Sequence, residues 1–121
     1  MDNKQKTNYK QNLEDRTLIF SKKLISFCKT LPKNNVDNIL INQIIRSGTS
    51  IGANYREAND KLGKKDFLNR LRIARKEAKE TSYWLELLRS ENNLTKINWL
   101  IQETIELRNI LSAIITKISD K

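Results

Sequence analysis

The chain has 121 residues, 31% of them charged and 38% hydrophobic, with a formal charge of +9 and no histidine. That length suits one domain with a single core, and the positive excess favours polyanionic partners. The missing histidine removes the commonest general base and nitrogen metal ligand, and the lone Cys28 excludes an intrachain disulfide or a multi-cysteine metal site.

The excess is unevenly spread: residues 1–35 carry net +5, 36–60 net −1, 61–79 net +6 and 80–121 net −1. Three glycines and one proline leave few tight turns and favour long helices. No apolar run approaches the roughly 20 residues that span a bilayer. The opening MDNKQKTNYKQ lacks the apolar stretch of a secretory signal. A cytoplasmic protein without a membrane partner is expected.

Residues 1–11 read as a flexible basic arm, and residues 12–121 as a four-helix domain. The first predicted helix runs from about Asn12 to Thr30, with Leu13, Thr17, Phe20, Leu24, Phe27 and Leu31 along one face. Cys28 falls on its apolar side, which predicts a buried, inert thiol. Pro32 ends it, because the residue before proline is pushed out of helical geometry.

The second helix starts near Val36 or Asp37 and carries Leu40, Ile44, Ser47, Ile51, Asn54 and Ala58. Within it lies RSGTSIGANYREA, Arg46 to Ala58, whose Gly48 and Gly52 suggest either a phosphate loop or a close helix contact. A phosphate loop needs a preceding strand and a Lys-Ser/Thr pair opening a helix. Here NILINQII precedes the glycines and keeps helical register through Ala58. Each glycine costs a helix roughly 1 kcal/mol against alanine, so close helix packing at Gly48 and Gly52 is the reading taken over ligand contact.

The third helix is the clearest, with Phe67, Leu71, Ala74, Ala78, Thr81, Leu85 and Leu88 in an unbroken stripe. The link SENNLT follows, with Thr95 as the expected N-cap. The fourth helix repeats the pattern with Ile97, Ile101, Thr104, Leu107, Leu111, Ile114 and Ile118. No segment alternates with period two for long enough to be a strand. Long helices on short links predict an all-α, antiparallel up-down-up-down four-helix bundle.

RSGTSIGANYREA followed by DFLNRLRIARKEAKETSYWLELL resembles the four-helix bundle proteins encoded by intervening sequences in bacterial 23S rRNA genes. The likeness covers roughly Ile44 to Leu88. It rests on Arg46, Ser50, Ile51, Asn54, Glu57 and Ala58, then Phe67, Ile73, Ala74, Glu77, Ala78, Glu80, Thr81, Tyr83, Trp84 and Leu85. Tyr55 stands where many relatives have isoleucine. The resemblance implies a left-handed bundle that assembles into a ring-shaped homopentamer, with no established reaction. A more distant likeness to the accessory variability proteins of diversity-generating retroelements implies nucleic-acid binding.

At about 100° per residue, Lys61, Lys64, Lys65, Arg72, Arg75, Lys76 and Lys79 of the third helix fall within an arc of roughly 120°. They form either a polyanion-binding stripe or a solvated face. Ile73, Trp84 and Leu87 widen the apolar arc to nearly 200°, more than a solitary bundle uses, which suggests a subunit interface. Trp99 is a candidate to join it. Arg46, Asn54 and Glu77 stand beside apolar stripes and suggest a hydrogen-bonded network inside the bundle or across an interface.

No catalytic, cofactor-binding or metal-ligating set emerges, and no small-molecule substrate is expected. The pairs Glu77/Glu80 and Glu103/Glu106 lack the histidines of a di-iron bundle. Two readings stay open. One is a non-enzymatic, oligomeric bundle that binds RNA or DNA electrostatically through basic helix faces. The other is a structural or protein-interaction scaffold with no nucleic-acid binding.

Overall fold

The computed structural model describes residues 9–60 and 63–120. It contains α1 (Tyr9–Cys28), α2 (Asn35–Ala58), α3 (Lys64–Leu88) and α4 (Leu94–Ser119), with no strand among the described residues. Helix α1 begins three residues before the expected Asn12, while residues 1–8 of the expected arm lie outside the described residues. The fold is an all-α bundle of four helices. Each helix packs on its neighbours in chain order, and α1 closes the set against α4.

Local chemistry sets where the helices start. Asn34 caps α2: its side-chain oxygen accepts from the Asp37 N–H at 2.8 Å, and its amide nitrogen donates to the Asp37 carboxylate at 2.7 Å. That satisfies one otherwise unpaired N–H and puts a negative charge at the positive end of the helix dipole. Helix α4 starts one residue before Thr95, with Asn93 in the capping position. Asn93 holds the link on both sides, accepting from the Ser90 N–H at 2.9 Å and donating to the Leu88 carbonyl at 3.1 Å. Thr95 is therefore inside the helix and caps nothing.

The core is built from one stripe of each helix, including Phe20 and Leu24, Ile44 and Ile51, Leu71 and Leu85, and Ile97, Leu107 and Leu111, all without exposed surface. Each such side chain contributes roughly 1.5–3 kcal/mol by leaving water. Three positions shift by one residue from the expected pattern. Tyr55, Leu68 and Ile115 are buried, whereas Asn54, Phe67 and Ile114 are only partly so. A strict 4-3 spacing repeats every 3.5 residues, but an α-helix turns every 3.6, so the buried stripe drifts by about 20° per seven residues. Leu31, Leu40, Leu88 and Ile118, also expected in the stripes, are half-buried, and Leu31, Leu88 and Ile118 pack against the edge of the core.

Gly48 and Gly52 lie inside α2 and are themselves buried. A Cβ at Gly48 would sit 2.1 Å from a methyl carbon of Leu24, and one at Gly52 would sit 2.8 Å from Thr17 Oγ1 and 3.0 Å from Thr17 Cβ. The two missing side chains thus leave a notch that α1 fills. On the other flank of α2 the Ser47 and Thr81 hydroxyls meet at 2.9 Å, and Ser47 donates onward to the Gln43 carbonyl at 2.7 Å. Both hydroxyls are fully buried, and this pairing removes the desolvation cost they would otherwise impose.

Gly52→Ala gains helix propensity but drives a methyl into Thr17, so a net loss of about 1–3 kcal/mol is expected in urea melts. Gly63→Ser, where an added Cβ meets nothing within 4 Å, should change stability by no more than about 0.5 kcal/mol. Burial pushes the Cys28 thiol up to about 11 and also raises the Tyr55 hydroxyl. The folded chain therefore favours the neutral thiol. Its contribution to stability is complete below the unfolded value of about 8.5 and is lost as pH climbs through 11. At pH 8, iodoacetamide should label Cys28 at least about 100-fold more slowly in the folded protein than in urea.

Candidate nucleic-acid interface

Helix α3 presents three different flanks: one to the core, one beside α4 that is basic, and one beside α2 that is mixed. On the basic flank Lys64, Lys65, Arg72, Lys76 and Lys79 are exposed and Arg75 is half-buried. Lys61 lies outside the described residues. Arg72, Arg75, Lys76 and Lys79 line one cleft of about 420 Å³, together with Arg108 of α4. Arg75 Nη1 reaches Ser112 Oγ of α4 at 3.4 Å, which holds its guanidinium at the helix–helix boundary.

Among the described residues, no carboxylate makes an ion pair with any of these five side chains. Such an arrangement leaves several ammonium and guanidinium groups free to meet phosphates. Lys64 and Lys65 stand about 10 Å up the helix from Arg72 (seven residues at 1.5 Å) and do not line the cleft. The expected stripe is therefore a compact cluster with a separate basic pair above it. Arg108 was not among the sequence-predicted residues. It is isolated in a near-neutral segment, and only the docking of α4 on α3 brings it to the cluster.

The flank of α3 beside α2 carries Ile73, Glu77, Glu80, Trp84 and Leu87 at 4-3-4-3 spacing. Arg46 of α2 donates to Glu77 Oε1 at 3.2 Å and also to Glu80, while its Nε donates to Gln43 Oε1 at 3.2 Å. Trp84 Nε1 donates to Glu80 Oε2 at 2.9 Å. Asn54 belongs to a separate pair: it accepts from Arg70 Nη1 at 3.0 Å and donates to the Ser50 carbonyl at 2.9 Å.

Arg46 and Glu77 thus meet, but Asn54 is not joined to them. Neither group lies in the bundle interior, since the Arg46 side chain is 49% exposed. Long polar side chains stay at the surface because burial would strip their hydration, and such exposed ion pairs contribute at most about 1 kcal/mol each. Ile73 and Leu87 are 39% and 51% exposed on the same flank, and Trp84 is half-buried against the core. Trp99 is elsewhere, on the α1 side of α4, with the Lys23 Nζ 5.2 Å from its ring centre.

Among the described residues no group of three His, Cys, Asp or Glu is placed to hold a metal ion. The Glu103 carboxylate is engaged by Arg16, which donates to it at 2.7 and 3.0 Å and whose own affinity for its proton is raised by that bond. No helix among the described residues is long and apolar enough to cross a membrane.

Four packed helices with one basic flank and one mixed flank define an all-α bundle whose distinguishing chemistry is on its surface. Residues 10–113 match the family described as 23S rRNA-intervening sequence protein, and the chain belongs to that family. The chain is also similar to a crystal structure of a protein with unknown function from the S23 ribosomal protein family of Bacteroides thetaiotaomicron VPI-5482. The two are 36% identical with a TM-score of 0.78, over 88% of this chain and 97% of that one. Among curated proteins no relative matches the chain.

Proposed function

We propose that this chain is a non-enzymatic, cytoplasmic bundle that binds nucleic acid through the cleft between α3 and α4. The observation that carries the reading is the convergence of Arg72, Arg75, Lys76, Lys79 and Arg108 on one cleft with no acidic lining residue. Binding of this kind is dominated by phosphate neutralisation and is indifferent to base sequence. RNA is the preferred partner, in keeping with the family's association with 23S rRNA sequences.

The same proposal includes the bundle's order and assembly. An antiparallel arrangement is supported by the contacts of Thr17 with Gly52 and Leu24 with Gly48, and by Arg46 with Glu77 and Arg70 with Asn54, while the left-handed twist is what the family resemblance implies. In each pair of helices, residue numbers rise on one side as they fall on the other. A ring-shaped homopentamer draws support from the half-exposed Ile73, Trp84 and Leu87 surrounding the Arg46 ion pairs. That flank mixes apolar and satisfied polar groups, as subunit interfaces do. The same flank also favours a second reading, a protein-interaction scaffold with no nucleic-acid role.

Fluorescence anisotropy with generic RNA at two salt concentrations separates the readings. Affinity should fall steeply with salt, and Lys65→Glu, Arg72→Glu and Lys79→Glu together should weaken it by roughly tenfold or more with the circular dichroism unchanged. Absent or salt-indifferent affinity leaves the scaffold. Light scattering should give about 71 kDa, five copies of the 14.2 kDa chain; a monomer mass at micromolar concentration removes the ring.

A further inference from the structure

A second basic surface lies on the other side of α4. Lys22, Lys23 and Ser26 near the end of α1, with Thr30 just beyond it, face Lys96 and Trp99 from the start of α4 across a groove of about 520 Å³. Its floor is apolar, made by Phe27 and Leu100, which are 4% and 2% exposed. Trp99 is 44% exposed at its edge. Nine residues at about 100° each put Trp99 half a turn from Arg108, so the two basic surfaces occupy opposite flanks of α4. Gln102 and Asn109 are exposed on the ridge between them.

The chemistry of this groove differs from that of the α3 cleft. The cleft holds only cations, whereas the groove combines three lysines with a broad aromatic face and a dry floor. Lys23 lies over the indole with its Nζ 5.2 Å from the ring centre, and the tryptophan is 44% exposed. No carboxylate lines the groove. Glu103, one turn further along α4, is held by Arg16 through two hydrogen bonds and does not neutralise the lysines. The groove's volume falls in the range of small-ligand sites, about 300–1,000 Å³. A fitting ligand is planar at one end and anionic at the other.

We propose that the α1–α4 groove binds an unpaired nucleotide, its base stacked on Trp99 and its phosphate held by Lys22 and Lys96. Lys23 yields its place over the ring to the base and turns toward the phosphate. A base inside a duplex has no free face to offer, so the groove discriminates single-stranded from double-stranded nucleic acid, which the cleft of α3 cannot do. The shared chemistry of base and phosphate is supplied by a free nucleotide or by a single strand.

The test uses the full chain carrying Trp84→Phe, which leaves Trp99 as the only indole. Its emission is titrated with adenosine monophosphate, with an eight-nucleotide thymidine strand, and with a duplex of the same length. Quenching by the monophosphate identifies a free-nucleotide site and quenching by the strand alone a strand site; either upholds the proposal. Lys22→Glu with Lys96→Glu should raise the half-saturating concentration roughly tenfold or more. Should Trp84→Phe disturb the fold, native protein against Trp99→Phe gives the same readout, with quenching lost in the variant. Emission unchanged by both single-stranded probes, or quenched equally by duplex, overturns the inference. The proposal does not rest on the α3 cleft. RNA binding with a silent Trp99 removes the groove alone, and a responsive Trp99 with no effect of Arg72→Glu and Lys79→Glu removes the cleft alone.

Discussion

Two absent side chains decide how closely α1 approaches α2. Where Gly48 and Gly52 leave the surface of α2 bare, Leu24 and Thr17 of α1 enter, so near that any added carbon would meet them within about 3 Å. Protein interiors transmit such a contact because they are packed to near crystalline density. With α1 seated, Phe20 and Leu24 reach the centre of the bundle, and α1 can close against α4 through Arg16 and Glu103. The groove at Trp99 lies between those same two helices, lined by Lys22 and Lys23 on one side and Lys96 on the other.

Helix α3 illustrates how one element serves several purposes without conflict. Its small core residues, Ala74, Ala78 and Thr81, allow α2 close enough for the Ser47–Thr81 hydroxyl contact. The flank toward α4 keeps its cations apart from acids, while the flank toward α2 pairs almost every charge it carries. This separation has a physical origin in sequence order: Glu77 and Glu80 fall within about 40° of Trp84 around the helix and face Arg46, whereas Arg72, Arg75 and Lys79 lie about 80° or more from both acids and Lys76 stands between the two sets. Glu77 and Glu80 are paired with Arg46 on one side, and positive charge gathers at the cleft on the other.

Much of the fold could be read from spacing. Phe20, Leu24, Ile44, Ile51, Leu71, Ala78, Leu85, Ile97 and Leu107 were expected in the core and are buried. Their periodicity reports directly on which side of each helix is dry. Tyr55 lies one residue off the expected stripe because the buried stripe drifts around the helix, and Thr95 yields the capping position to Asn93, which is held by its contacts with Leu88 and Ser90. For the candidate surfaces the limit was of another kind. Arg72, Arg75, Lys76 and Lys79 shared a face by arithmetic, but Arg108 is 29 residues further on than Lys79 in the chain. Lys22 and Lys96 are likewise distant in sequence and adjacent in space.

What the amino-acid order determined alone, then, is the set of helices and the dry stripe on each, since both depend on neighbours within one or two turns. The lone cysteine's burial and the lack of any imidazole also belong to that order. Which stripes meet, which cations converge and which acids are cancelled was decided by tertiary packing. Those outcomes depend on how far one helix can approach another, a distance set by side-chain volume on both partners and therefore invisible along either one.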